Sequence, residues 1–522
     1  MKTISYHRVL CLSGLACATL LHAQVQEAWV ARYNGPANGD DYYNNLAVDN
    51  AGNVYITGWS LGSATGFDYA TVKYGPDGTQ LWVARYDGPG HTDDYPTAIS
   101  VDSAGNVYVT GGSASTSSIL DEDFATVKYD ANGNQLWVAR YDGPTHRGDG
   151  GTALAVDNMG CVYVTGFSDS FPGHYATVKY DTNGNQLWVA SYGGGFGRQS
   201  IPNAIVVDSA RNVYVTGLSA GFGGNDYATV KYDANGHELR VARYNGPGSG
   251  DDGAIGMALD RRGNVYVTGF STGAGTGSDF ATVKYDPDGN ELSVARYNGP
   301  GNSQDGAYSI ALDKAGNVYV SGSSYGFGTG SDYATVKYDA DGNELWVARY
   351  NGLADGEDSA TGMALDGAGN VYVTGYSTGS GTGYDFATVK YDPSGNELWV
   401  VRYNGPDNGD DLPYVRPIAL DSAGNVYVTG YSVGNGTRND FVTVKYVQTP
   451  PNPWLGSPTI RPDGQFEFTL IGEAGRTYGI QVSTNLVTWT TLTNFVSATG
   501  TNQFTDATAP NFTQRFYRAV TQ

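Results

Sequence analysis

Two sets of residues in this chain are of types that could do chemistry. The first is a serine. Gly375-Tyr376-Ser377-Thr378-Gly379 fits G-x-S-x-G, the turn that presents a nucleophilic serine to a histidine base. The second is a series of acidic pairs: Asp40-Asp41, Asp93-Asp94, Asp251-Asp252, Glu357-Asp358 and Asp410-Asp411. Paired carboxylates with nearby Asn and carbonyl groups suit calcium, which takes roughly 6–8 oxygens. At separations of roughly 5–5.5 Å or 6.5–9.5 Å they also serve as acid and base in glycoside cleavage. A solubilising acidic rim with local Asx turns is the plain alternative.

Repetition answers for the serine. "GNVYVTG" recurs with variants eight times, its tyrosines at 55, 108, 163, 214, 266, 319, 372 and 427, spaced 51 to 55 residues apart. G-x-S-x-G fits six of the eight copies, starting at Gly58, Gly217, Gly269, Gly322, Gly375 and Gly430. A nucleophile is needed once, between a strand and a helix, and here a Gly-rich loop and another strand follow. His91, His146, His174 and His237 occupy no repeated position. Ser377 therefore reads as the end of a strand.

Each repeat holds four short segments rich in Val, Tyr, Thr and Trp, as in "MALD", "GNVYVTGYS", "YDFATVKYD" and "NELWVVRYNGP" from Met363 to Pro406. Such segments read as strands. "D-x-A-G-N" and "D-x-S-G-N" join them as tight turns, because Gly and Asn accept positive φ. These turns lack an EF-hand glutamate: the twelfth place counted from Asp130 is Tyr141. Four antiparallel strands per period of about 50 residues is the mark of a β-propeller blade. An isolated fourth strand, Ala28 to Pro36, opens the chain, and the last repeat stops after its third, Asp440 to Tyr446. The N-terminal strand is thus expected to complete the last blade, giving an all-β ring of eight four-stranded blades with no open edge.

The flanks read differently. Lys2 and Arg8 precede an apolar run from Val9 to Leu21, and Ala23 follows, which makes residues 1–23 a secretory signal peptide. Its removal takes the formal charge from −22 to about −24. So acidic a chain repels nucleic-acid phosphates. No later run has the roughly 18 apolar residues of a spanning helix. Cys161 alone of three cysteines lies outside the signal, so no disulfide is available. The propeller spans 24–446, a Pro-rich linker 447–454, and a small β-sandwich 455–522. Arg515 and Arg518 could meet an anionic surface there, but ordinary exposed strand charge is the default.

"GNVYVTG" and "DYATVKYD" carry a resemblance to the bacterial secreted β-propeller repeat family called SBBP, over roughly Trp29 to Tyr446. The resemblance implies a propeller in an exported protein and no shared catalytic residue. Its name implies seven blades; the match between chain start and end favours eight. "STNLVTWTTLTN" with "RFYRAV" resembles a C-terminal module of exported bacterial proteins, which implies a fibronectin-like sandwich used for attachment or display.

Loops between the second and third strands, and between blades, share one face of the disc and vary most, so binding is expected there or at the channel mouth. Three tyrosines per repeat account for 24 of 40, which leaves loop aromatics such as Tyr42, Tyr43, Tyr95, Tyr308, Phe327 and Tyr414 as a glycan surface. Lys73 and its seven equivalents are expected to pair with the Asp that ends each first strand, as at Asp49. The leading expectation is an exported, monomeric, non-enzymatic scaffold that binds a polymer, a protein or a cell surface. Its binding residues are Asp40, Asp41, Asp93, Asp94, Asp251, Asp252, Asp410, Asp411, Tyr42, Tyr95 and Tyr414. The alternative is an extracellular polysaccharide-acting enzyme or a calcium-dependent adhesin using the acidic residues, calcium at those pairs being the one cofactor considered. Secretion to the extracellular space or cell surface of a bacterium, or to its periplasm, completes the expectation.

Overall fold

The computed structural model describes residues 8–11, 24–116, 121–169, 173–194, 199–221, 223–414, 416–434, 436–449, 453–472, 476–497 and 500–521. They fall into two compact units, 27–447 and a second made of the N-terminal residues with 448–522.

The first unit is the propeller. Seven consecutive antiparallel sheets of four strands are followed by an eighth, in which Gln24–Tyr33 pairs with Asn439–Thr449. The ring thus has eight blades, closed by the N-terminal strand as the repeat count requires. Valines on both faces of the second and third strands, such as Val54 and Val72, are fully buried, because each sheet is covered by the next. Burying a Val contributes roughly 1.5–3 kcal/mol. One interface cluster joins Tyr33 and Phe441 of blade 8 to Tyr43, Ile56 and Val72 of blade 1.

Both turn types form as expected. In the first, Gly52 N–H donates to Asp49 O at 3.0 Å with φ of +79° at the glycine. In the second, Gly133 also carries the edge of the neighbouring blade: a Cβ there would lie 2.7 Å from Trp82 Cδ2. The Trp82 indole N–H donates to Ala131 O in the same turn at 3.1 Å, so tryptophan and glycine together lock blade to blade.

Three expectations are corrected. Lys73 lies over the Tyr55 ring at 4.9 Å and donates to Ala131 O at 3.1 Å. The carboxylate expected as its partner, Asp49, instead accepts from Ala51 N–H, Asn53 N–H, Asn53 Nδ2 and the Tyr55 hydroxyl. The first strand of blade 8 is broken into Asp411–Leu412 and Ile418–Leu420, because Pro413 and Pro417 cannot donate to a ladder. In the second unit Arg515 is buried, not displayed: it pairs with Asp506 at 2.9 Å and lies over the Phe512 ring at 4.2 Å.

That second unit has two sheets. One orders Arg8–Cys11, Gln514–Thr521, Thr477–Ser483 and Thr490–Val496; the other orders Trp454–Ile460, Phe466–Ile471 and Thr501–Asp506. Phe466, Phe468, Tyr478, Ile480 and Tyr517 share one core between them. Of the segment read as a signal peptide, Arg8–Cys11 pairs in parallel with Gln514–Tyr517; its other residues lie outside those described. No described helix is long and apolar enough to cross a membrane.

Candidate binding face

The G-x-S-x-G serines sit inside the blades. Ser377 is fully buried. Its Oγ accepts from Arg402 Nη1 at 2.6 Å, and Arg402 also reaches Asp385 at 2.8 Å and the Tyr350 hydroxyl of the preceding blade at 3.1 Å. Asp358 completes the group through the Ser377 hydroxyl. The same set recurs in blade 1: Arg85 with Ser60 at 2.7 Å, Asp68 at 2.7 Å and Tyr33 at 3.1 Å. A hydroxyl so held has no histidine base. The network ties the four strands of one blade to the blade before it, and charge-assisted bonds of this kind are the strong ones.

The acidic pairs divide by position. Asp41, Asp94, Asp252 and Asp411 open the first strands and are buried. Each accepts a backbone N–H, from Gly35 at 2.6 Å, Gly88 at 2.7 Å, Gly246 at 2.7 Å and Gly405 at 2.5 Å. Burial raises the pKa of Asp94 and of Asp411, each to about 6, against those N–H and serine bonds. These four were expected on the binding face; the structure turns them inward. Their partners reach back to the preceding blade's third strand. Asp93, Asp251 and Asp410 accept Phe67, Asn225 and Tyr384 N–H at 2.9, 2.9 and 3.0 Å. Asp40 meets Arg438 at 3.1 Å and Asn439 Nδ2 at 3.2 Å.

Two carboxylate triads come close enough to share an ion: Asp68, Asp87 and Asp94, and Asp123, Asp142 and Asp149, with one ligand atom from each within 4.8 Å of the others. In both, an arginine is already present, Arg85 on Asp68 at 2.7 Å and Arg140 on Asp123 at 2.9 Å. Each arginine takes only the Oδ2 atom, and Oδ1 of Asp68, Asp87 and Asp94 is buried without a hydrogen-bond partner; the adjacent guanidinium supplies positive charge that a divalent ion would otherwise bring.

The channel mouth is different. One residue per blade, three places after the buried strand-opening residue, forms a ring: Asn44, Thr97, Thr152, Asn203, Ile255, Tyr308, Thr361 and Tyr414. Five clasp the next blade's backbone. Asn44 donates to Pro96 O, Thr97 to Gly151 O, Thr152 to Pro202 O, Asn203 to Ala254 O and Thr361 to Pro413 O, at 2.6–3.1 Å. Ile255, Tyr308 and Tyr414 occupy the other three places. Tyr308 and Tyr414, 38% and 58% exposed, wall a cavity of about 620 Å3 together with Phe270, Tyr376 and Arg416. Arg416 has φ of +46° and is exposed.

From this cavity an aromatic arc runs outward over blades 8, 1 and 2. Tyr431 and Tyr42 meet at 5.1 Å, Tyr42 and Trp59 at 5.7 Å, and Trp59 and Tyr95 at 5.6 Å; Phe67 lies 6.4 Å from both Tyr42 and Tyr95. Burial, then Tyr42 and Tyr414, push the Tyr431 hydroxyl up to about 12, which ties the arc to the cavity. Tyr42, Tyr95 and Tyr414 are thus brought onto one surface. Trp59, Phe67, Tyr376 and Tyr431 were missed. The signal was available: Trp59, Tyr376 and Tyr431 are the first x of G-x-S-x-G. In blade 2 that place is Gly112, and Glu122 Oε2 takes the space, 3.0 Å from where a Cβ would stand. Burial and the charges of Asp94 and Asp93 raise Glu122 to about 7.

Residues 28–63, 82–117, 295–328, 346–381 and 399–436 match the SBBP β-propeller repeat. An uncharacterised WD repeat-containing protein of Acanthamoeba polyphaga mimivirus is 26% identical over 65% of this chain, and the regulatory protein FlaEY of Caulobacter vibrioides 31% identical over 31%. The chain spans 28% and 18% of their lengths. Among solved structures, the polysaccharide lyase Uly1 is similar at 12% identity over 67% of this chain and 89% of its own, TM-score 0.41. Drosophila Plexin A, in complex with Semaphorin 1b, is similar at 9% identity over 81% and 88%, TM-score 0.35. Those five stretches are thus similar to the SBBP β-propeller repeat.

Proposed function

We propose that this protein is an exported binding protein whose long-loop face holds a carbohydrate polymer, and that it is not an enzyme. The observation that carries the reading is the aromatic arc joined to the channel cavity. The serines and inner carboxylates are consumed by the scaffold, whereas Tyr42, Trp59, Tyr95, Tyr308 and Tyr414 hold places the fold leaves free to vary. Flat aromatic rings give large apolar area at low entropic cost and keep a polar tip for hydroxyls. A cavity of about 620 Å3 that sets aromatic rings beside Asn, Thr and Arg side chains lies within the range of ligand sites. The C-terminal unit serves for attachment or display.

Titration of the intact chain with soluble neutral and acidic polysaccharides, read by tryptophan fluorescence and calorimetry, tests this. Saturable binding should weaken at least about tenfold in W59A/Y95A and in Y308A/Y414A, as expected for aromatic anchors worth about 1.4 kcal/mol or more. Binding that both variants retain in full would sink the reading.

Glu122 favours a second reading, a polysaccharide-acting enzyme. A carboxyl raised to about 7 beside Tyr95, at the outer end of the arc, is suited to general acid work. Release of reducing ends or unsaturated products, lost in E122Q, would establish it in place of the first.

A further inference from the structure

The turns between first and second strands lie on the opposite face. Their sequences are near-constant and neutral at the variable places in blades 1, 2, 3, 7 and 8: Asn50-Ala51, Ser103-Ala104, Asn158-Met159, Gly367-Ala368 and Ser422-Ala423. Blades 4, 5 and 6 depart together. They carry Arg211, Arg261-Arg262 and Lys314. In a chain of formal charge −22, every cation at these places falls in three consecutive blades.

Two further observations set this cluster apart from ordinary exposed charge. Arg211 stands where the other seven repeats have glycine, at φ of +69° against +78° to +89° for those glycines. A non-glycine residue in the left-handed region is strained, and the Arg211 guanidinium reaches Met159 Sδ of blade 3 at 3.5 Å, outside the cavity that the other cations line. Arg261, Arg262, Lys284 and Lys314 also line one cavity of about 400 Å3 between blades 5 and 6. Its two carboxylates are engaged by the turns. Asp260 accepts Arg262 N–H, Asn264 N–H and Asn264 Nδ2; Asp313 accepts Ala315 N–H, Asn317 N–H and Asn317 Nδ2. Lys284 donates to Ala340 O at 2.6 Å. Arg261, Arg262 and Lys314 are exposed and enter no ion pair among the described residues. Nearby, Arg240 replaces the tryptophan of Trp82-type positions and donates to Asp288 O in the next blade's turn.

We propose that this cavity binds a multivalent oxyanion: a carboxylate, sulfate or phosphate group, free or carried on a larger ligand. Guanidinium groups match such anions by paired hydrogen bonds, and a lysine adds a point charge. The site lies on the face away from the aromatic arc and stands independently of it.

The test is calorimetry on the full chain with citrate and with inorganic phosphate at matched ionic strength, and with polygalacturonate as the polymeric probe. Three variants accompany it: R261N/R262A and K314S, which install sister-blade residues the fold already accommodates, and R211G. Saturable binding of at least one probe, weakened tenfold or more in R261N/R262A and in K314S, is expected. R211G, a change outside the cavity, is the control: it should melt higher than wild type, as strain is removed, and bind as wild type does. Citrate or phosphate binding would mark a site for free anions; polygalacturonate alone would mark a site for anionic groups on a polymer. No saturable binding of any probe, or affinities unchanged in folded R261N/R262A and K314S, would overturn the proposal.

Discussion

Blade 3 and the other seven blades solve the same packing problem with different charge. In seven blades an arginine on the fourth strand meets an aspartate on the third, from Arg85 and Asp68 at 2.7 Å to Arg32 and Asp440 at 3.5 Å. In blade 3 both are gone: Ser191 stands in the arginine's place and His174 in the aspartate's. The next blade also gives up its strand-opening aspartate for Ser200, which meets Ser219 at 3.2 Å. The partners are lost together. A buried charge left alone costs more than the pair is worth, whereas removing both is nearly neutral. The ion pair is therefore a replaceable unit of the blade, not a condition of its folding.

Breaking the unit in blade 1 should give the largest effect. R85S leaves the Asp68 carboxylate without its cation and should destabilise by about 2–4 kcal/mol, while D68H/R85S, the blade 3 pair, should cost clearly less than the two single changes summed. Denaturant unfolding of the four-member cycle checks this. Building the unit into blade 3 is the converse. S191R alone should give no gain, and H174D/S191R should gain about 1 kcal/mol, measured the same way. The smallest effect concerns blade 2, where Glu122 is raised to about 7 from its usual 4.5. Its stabilising contribution is complete below pH 4.5 and is lost as pH rises through 7. E122Q should match wild type in thermal melts at pH 4 and exceed it at pH 8; equal melts at both would remove the claim.

The ring was legible because a period of about 50 residues repeats eight times and the chain's two ends hold complementary parts of one blade. The serine was legible for the same reason: a residue present in most blades is scaffold. The acidic pairs were not. Adjacent residues in a strand point to opposite faces, so Asp93 and Asp94 go separate ways, and only the assembled blade shows which enters the Arg–Ser network. Tyr42 and Tyr95 stood out as loop aromatics, but Trp59 was hidden inside a motif read for its serine. Lys73 was misjudged because a tyrosine face and a backbone carbonyl can satisfy an ammonium without a carboxylate.

The clasp between Arg32 and Ser432 spans 400 positions of chain. Bringing such distant parts together costs entropy that grows only logarithmically, about 0.6 kcal/mol for each doubling of the loop. Adding or deleting one repeat would change that cost by roughly 0.1 kcal/mol on the same scaling. Chain length therefore exerts almost no preference over blade number. Trp29, Trp82, Trp137, Trp188 and Trp346 seat on turn glycines of the next blade, whereas Arg240 and Ser293 take that place at Gly289 and Gly342, so blade number rests on the interface packing as a whole. Gene duplication in such a chain is thermodynamically quiet until neighbouring blades stop fitting, and the packing between blades, not the length of the chain, carries the cost of a ring of another size.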